Sequence, residues 1–487
     1  MKELVCANSS ACEQYCQAML ANGVAVEVDP TTGCNVPEMF AIDAEGATFT
    51  PKMAEMADGG TAVAIRTNPE LVSKLGGSLF NVLATRTEAG AESRVREELI
   101  TAYEATLTAR FGLWQGMLGA AKANRTFTDA ELEYYQEQIA GAETAAAERA
   151  AATTAEVVIG ARAAADHRTL HQHGLLFDDQ MIGTIDRLVG NLMDSKPVLL
   201  TGDQGIAKSQ AAKFVARMWE PKNEPVLISG HGDMMSNELI GQMEQDKDTR
   251  VFAFKEGKLV QAMREGRPVI IDDGNFSDQA VMARTLDILL RRPGDKVILQ
   301  ENGKEPIEIQ PGFVVFLTAN EASARHLHRH QFTPAYRDRF DVWKISYPDS
   351  DTTSPITVVP KSLMRLAFAA AVDDKGVLSP HINAGELEKL TRLAHATQHL
   401  YSVPARSARV PLNQGGNVTS SFLDDEPAMT DCITPRALAN IVERCAPGNK
   451  PNMTIATETE RAIKGLDQAG STRNQTIARR ARTLLNA

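Results

Sequence analysis

Residues 197–218 constrain this chain more than any other stretch. Pro197-Val198-Leu199-Leu200-Thr201 is an apolar run that reads as a buried β-strand. Residues 210–218 combine helix-forming residues with apolar groups at helical spacing. Between them lies Gly202-Asp203-Gln204-Gly205-Ile206-Ala207-Lys208-Ser209. Strand, glycine-bearing turn and helix in that order are the setting of a phosphate-binding loop. The turn's N–H groups wrap a diphosphate and the helix points its positive end at it. Lys208 would reach the β- and γ-phosphates, and the Ser209 hydroxyl would ligate Mg²⁺. Ala207 stands where such loops usually carry glycine, and a methyl group is tolerated there if φ is negative. A chance Gly/Lys/Ser turn is the alternative, and the residues downstream weigh against it.

From Asp178 onward, apolar β-branched runs alternate with helical patterns, the signature of an α/β fold with a parallel sheet. Candidate strands are residues 198–200, 226–228, 269–271 and 313–317. Ligands gather at the carboxyl ends of such strands. Residues 269–271 run into Asp272-Asp273. Asp272 is suited to hold Mg²⁺ through oxygen, and Asp273 to polarise an attacking water. A plain Asp-Asp-Gly turn is the simpler alternative. The next strand ends in Asn320, whose amide both donates and accepts and would hold that water. Arg337 and Arg339 flank an apolar anchor and fit an arginine finger, with surface ion pairs as the alternative. Arg436 follows Pro435 at a helix start and would reach a nucleotide from a lid.

The rest of the chain is less specific. Residues 1–90 read as a small α+β unit. Residues 91–177 read as a helical hairpin or coiled coil joined near Asn124, opened on its second helix by the Thr128–Glu131 capping box, with residues 167–177 as a linker. Residues 178–350 are then the nucleotide-binding domain, 351–450 a helical lid and 451–487 a helical tail. Asn302-Gly303 between alternating runs signals a β-hairpin. Cys6, Cys12, Cys16 and Cys34 contain no C-x-x-C pair and read as thiols before zinc ligands. His326, His328 and His330 read as a basic loop before a metal site. The basic tail of Arg473, Arg479, Arg480 and Arg482 reads as a solvated helix end.

A formal charge of −11 argues against a DNA-coating surface, so nucleic acid is not the expected partner. No membrane span or signal-peptide core is evident, which predicts a cytoplasmic protein without membrane contact.

The ordered series is Gly202–Ser209 with alanine before lysine, Asp272-Asp273-x-Asn275, Thr318-Ala319-Asn320, Arg337-x-Arg339-Phe340-Asp341 and Thr434-Pro435-Arg436-Ala437. It resembles the MoxR-like AAA+ ATPases of the dynein-related clade. Their relatives include the gas-vesicle, Rubisco-activating and cobalt-chelatase ATPases and the dynein and midasin modules. The likeness takes in Glu238-Leu239-Ile240-Gly241 and residues 254–266, and spans residues 178–445, about half the chain.

The resemblance implies an AAA+ parallel sheet with a helical lid, ATP and Mg²⁺ as ligands, and a homo-hexamer. It makes Asn320 sensor 1, Arg339 a finger supplied in trans and Arg436 sensor 2. It also implies a hairpin within residues 242–256 which, like that at Asn302-Gly303, faces a central pore and partner proteins. The implied activity is ATP-driven remodelling or activation of a partner, one carrying a von Willebrand A domain on a separate chain in many relatives. A nucleic-acid motor and a slowly turning structural ring are the competing readings. The family usually has glutamate where Asp273 stands, which leaves slow turnover open.

Overall fold

Uninterrupted β-branched and aliphatic runs have no polar face to show to water, so they must be covered on both sides. Val198–Leu200, Val269–Ile271 and Val315–Leu317 are each fully buried as the central strands of one sheet. The computed structural model describes residues 28–29, 33–34, 90–153, 155–221, 224–245, 252–278, 280–282, 285, 288, 291–303, 305–320, 332–347, 359–402, 432–447 and 453–468.

The strands are β1 (Val28–Asp29), β2 (Gly33–Cys34), β3 (Val198–Gly202), β4 (Val226–Ser229), β5 (Gly241–Gln245), β6 (Phe252–Glu256), β7 (Val269–Asp272), β8 (Lys296–Ile298), β9 (Pro306–Glu308), β10 (Val315–Thr318) and β11 (Asp341–Ile345). The main sheet has the order β11-β3-β10-β7-β4, and every neighbouring pair is parallel. The P-loop strand is therefore central, and the strand leading to Asn320 lies between it and the strand leading to Asp272. Register keeps their ends level: Leu317 pairs with both Leu199 and Ile271. Each fully buried aliphatic side chain here contributes roughly 1.5–3 kcal/mol.

Edge strand β11 is absent from the expected strands. Lys344 is exposed, and Asp341, Val342 and Trp343 are half-buried. An edge strand needs no continuous apolar run, and its charges discourage pairing with another chain.

The chain divides into two compact units, one of residues 110–136 and 173–346, the other of 1–109, 137–172 and 347–487. Helices α1 (Gly90–Lys122) and α2 (Asp129–Ala151) each have residues in both units. The joint is as read: Asn124 takes φ 51°, and Thr128 and Glu131 exchange backbone and side-chain hydrogen bonds. Glu131 is held down to about 2 by its bonds to Arg125 first and to Thr128. The expected linker is a correction. Residues 167–173 are the last turns of α3 (Ala155–His173), and only a short connection follows.

In the sheet unit, α4 (Asp179–Met193) is capped by Asp178, which accepts from Met181 N–H at 2.8 Å. It buries Ile185, Leu188 and Val189, while α5 (Lys208–Trp219) buries Ala211, Ala212 and Val215, and α6 (Ser236–Leu239) and α7 (Lys258–Glu265) follow. Phe111, Trp114, His173, Phe177 and Phe214 form one aromatic cluster, and Trp114 Nε1 donates to Asp186 at 2.6 Å. Burial lowers the His173 imidazole below its ordinary range. The hairpin at Asn302-Gly303 is formed by β8 and β9, with Gly303 at φ 62°. Leu299 and Ile309, just beyond the ladder, join Val297 and Ile307 in the core. Strands β5 and β6 pair within residues 241–256 and expose Met243 and Phe252; the tip lies outside the described residues.

In the other unit, α9 (Lys361–Ala371), α10 (Ala384–Ser402), α11 (Pro435–Cys445) and α12 (Ile455–Gln468) share a core with Leu363, Phe368, Leu387, Leu390, Val442 and Ile463. Arg365 on α9 grips Asp166 on α3 through two hydrogen bonds of 2.9 and 2.8 Å, with both side chains buried. Among the described residues no helix is long and apolar enough to cross a membrane. The readings on residues 1–27, 35–89, 321–331 and 469–487, including three of the four N-terminal cysteines, the three alternating histidines and the basic tail, lie outside the described residues.

Candidate functional site

The turn after β3 is shaped by what can fit. Gly202 has φ 131°, and a Cβ there would lie 1.7 Å from the Ile345 carbonyl oxygen of edge strand β11. Ala207 does not meet the condition of a negative φ: it lies at φ 64°, ψ 24°, in the left-handed region. An L-residue with a Cβ pays roughly 1–2 kcal/mol there, and the surrounding turn imposes it. Helix α5 begins at the next residue with no side-chain cap. The start of a helix is a place that suits an anion.

Lys208 is buried, and its ammonium donates to the carbonyl oxygens of Gly202, at 3.0 Å, and Asp203. It also donates to Asn320 Oδ1 at 2.7 Å. Asn320 in turn donates through Nδ2 to Asp273 Oδ1 at 2.8 Å. Lysine, amide and carboxylate thus form one hydrogen-bonded chain across three neighbouring strand ends.

A second chain runs beside it. The Ser209 hydroxyl donates to Asp272 Oδ1, and Thr318 Oγ1 donates to the same oxygen at 2.6 Å. Thr318 Oγ1 also accepts from Asp273 N–H at 3.0 Å. Asp273 is, with Ala207, the second non-glycine residue of the site in the left-handed region, at φ 53°, ψ 41°. Buried Asn275 donates through Nδ2 to the Asn320 carbonyl at 2.7 Å and fixes the end of β10. Thr318 and Asn275 are not among the residues that the sequence singles out for a role, although both lie inside its motifs. A hydroxyl just before the strand-end amide was the available signal for Thr318.

The donor set fits a hard divalent cation, because the Ser209 hydroxyl and the Asp272 carboxylate already meet. A turn with an ammonium group inside it, at the start of a helix, fits phosphate. Among the described residues no group of three or more His, Cys, Asp or Glu side chains is placed to hold a metal.

The arginines are elsewhere. Thr333 caps the short helix α8 (Pro334–Arg337), and Phe332, Tyr336 and Phe340 stack at 4.6 and 5.2 Å. Burial pushes the Tyr336 phenol up. Arg337 and Arg339 are exposed on this rigid base. Asp341 follows and pairs with Val198, the first residue of β3, whereas the turn that holds Lys208 follows the last. The span is four residues, or about 13 Å at roughly 3.3 Å per residue. Asp341 is itself anchored by Arg187 and by Asn191 Nδ2 at 2.7 Å, and the Arg187 guanidinium holds its carboxyl below the usual range. Arg436 is exposed in the first turn of α11, which Thr434 caps, and belongs to the other compact unit.

Residues 197–340 match the model of the AAA domain of the dynein-related subfamily. The midasin of Giardia intestinalis is 28% identical over 144 residues, covering 30% of this chain and 3% of that protein. The midasin of Dictyostelium discoideum is 27% identical over 124 residues, covering 25% of this chain and 2% of its own length. Among solved structures, NtrX of Brucella abortus in complex with ADP is similar with a TM-score of 0.35 and 14% identity, over 71% of this chain and 72% of that one.

Proposed function

We propose that this chain, whose residues 197–340 form an AAA ATPase domain of the dynein-related subfamily, binds and hydrolyses ATP to remodel or activate a partner protein, as a MoxR-like homo-hexamer. The observation that carries the reading is the paired hydrogen-bond chains, Lys208–Asn320–Asp273 and Ser209–Asp272–Thr318, at the level ends of three adjacent strands.

In this reading Lys208 exchanges the Gly202 and Asp203 carbonyl oxygens for β- and γ-phosphate oxygens, and the N–H groups of residues 202–209 line the phosphates. Ser209 and Asp272 would hold Mg²⁺, which supplies positive charge against the phosphate oxygens when bound. Once Lys208 turns to phosphate, the Asn320 amide is released to orient a water, and Asp273 takes its proton. Water then attacks the γ-phosphorus in line and the bond to the ADP oxygen breaks. Arg339 serves a neighbouring copy, supported by its position at the opposite edge of the sheet from its own P-loop. Arg436 acts from the helical lid, and the exposed β5–β6 hairpin offers Met243 and Phe252 to the partner. The partner is a separate protein, a von Willebrand A domain chain being the first to test.

Calorimetry of ATP binding to the Lys208→Ala protein tests the reading. Binding should be lost or greatly weakened, and wild-type affinity would remove the P-loop assignment. Stimulation of wild-type turnover by DNA and not by a protein partner would replace the remodeller with a motor.

A further inference from the structure

We infer that Thr318 is a positioning residue for the metal. Its one hydroxyl sets both the carboxylate that would ligate Mg²⁺ and the main chain that carries the water-polarising carboxylate. The inference rests on the proposed ATPase site and adds a residue to it. A threonine hydroxyl has one proton to donate and two lone pairs to offer. Thr318 is 1% exposed, so water does not compete for either. The proton goes to Asp272 Oδ1 at 2.6 Å, and a lone pair takes Asp273 N–H at 3.0 Å.

The register makes this possible. Thr318 ends β10 between β3 and β7, level with the end of the strand that delivers Asp272. Ser209 donates to the same Oδ1, but Ser209 is the residue that must turn toward the cation. Thr318 is then the bond that keeps the Asp272 carboxylate in one rotamer throughout. Its second bond restrains the Asp273 backbone, which stands in the left-handed region and would otherwise relax. Partners of metal ligands act in this way elsewhere, and their loss weakens metal binding by roughly 10–100-fold.

The test uses the full chain with AMPPNP and Mn²⁺, whose free signal is read by electron paramagnetic resonance. Thr318→Val keeps the side-chain shape and removes both hydrogen bonds. It should raise the apparent Kd for Mn²⁺ by roughly 10–100-fold, while metal-free AMPPNP affinity by calorimetry stays at the wild-type value. Thr318→Ser keeps the hydroxyl and should restore Mn²⁺ binding. If the valine protein does not fold, Thr318→Cys retains a weak donor of similar size and should show a smaller loss in the same direction. Wild-type Mn²⁺ affinity in the valine or cysteine protein overturns the inference. So does an equal fall in metal-free AMPPNP affinity, which would mark general damage to the site. A wild-type chain that binds AMPPNP but shows no Mn²⁺ dependence also overturns it, with the P-loop reading intact. A wild-type chain that binds no AMPPNP at all overturns the ATPase reading and this inference together.

Discussion

The two edges of the central sheet are built on opposite plans. At the carboxyl edge, Lys208, Ser209, Asp272, Asp273, Thr318 and Asn320 are tied to one another, and two residues accept left-handed backbone to be there. At the amino edge, Arg337 and Arg339 stand exposed on a base of stacked rings and an anchored Asp341. The first edge turns its polar groups toward one another; the second presents charge outward from a rigid support. About 13 Å of strand separates them within one chain. In the proposed ring a second copy would close that gap without deforming the sheet.

The strongest way to break the comparison is to remove the outward charge. Arg339→Ala should bind ATP normally and hydrolyse it roughly 10³–10⁵-fold more slowly. Mixing it with Asp272→Ala chains under conditions where labelled subunits exchange should return part of the activity. Exchange without recovery would reject the trans arrangement and move attention to Arg337.

The next test acts on the inward edge. Asp273→Asn should abolish turnover and spare ATP binding. Asp273→Glu restores a methylene and should match or exceed the wild-type rate, by up to ~10²-fold if reach is what limits it. Full activity in the asparagine protein, measured as phosphate release, would mean that another group takes the proton.

A smaller effect reads the strain. Ala207→Gly removes the Cβ from a left-handed position and should raise stability by about 1 kcal/mol in urea unfolding. A loss of stability would mean that the methyl group packs more favourably than its backbone costs.

The smallest concerns the anchor of the outward edge. Asp341 has a lowered folded pKa, with Arg187 as the first cause, so its contribution is full above the ordinary carboxylate pKa and is lost as pH falls through the lowered one. The gap in urea midpoint between wild type and Arg187→Ala should be open at neutral pH and close below about pH 4. It should be modest, because the Arg187 guanidinium is half exposed. A gap that persists unchanged into acid would assign the effect to Arg187 packing over the Trp343 ring instead.

How much of this was legible depends on whether a feature is local. The strand-turn-helix at residues 197–218, the buried runs ending in Asp272 and Asn320, and the Thr128–Glu131 capping box were readable because a strand, a turn or a cap is decided within a few residues. Strand β11 was not, since an edge strand is half-polar and takes its conformation from the neighbour it pairs with. The helix over residues 167–173 was hidden by histidines and polar residues. Just before it Asp166 is buried, and its cost is offset by Arg162 one turn earlier and by Arg365 from far along the chain.

Order and composition alone determined the α/β class, the phosphate-binding turn and the carboxylates and amide at strand ends, because these follow from hydrophobic period and from which groups sit just past it. Only the tertiary structure decided that Ala207 is left-handed, that Lys208 lies against Asn320, and that one hydroxyl on Thr318 serves both aspartates. The last two depend on the register between parallel strands more than forty residues apart, and a residue's own neighbours carry no record of what a distant strand places beside it.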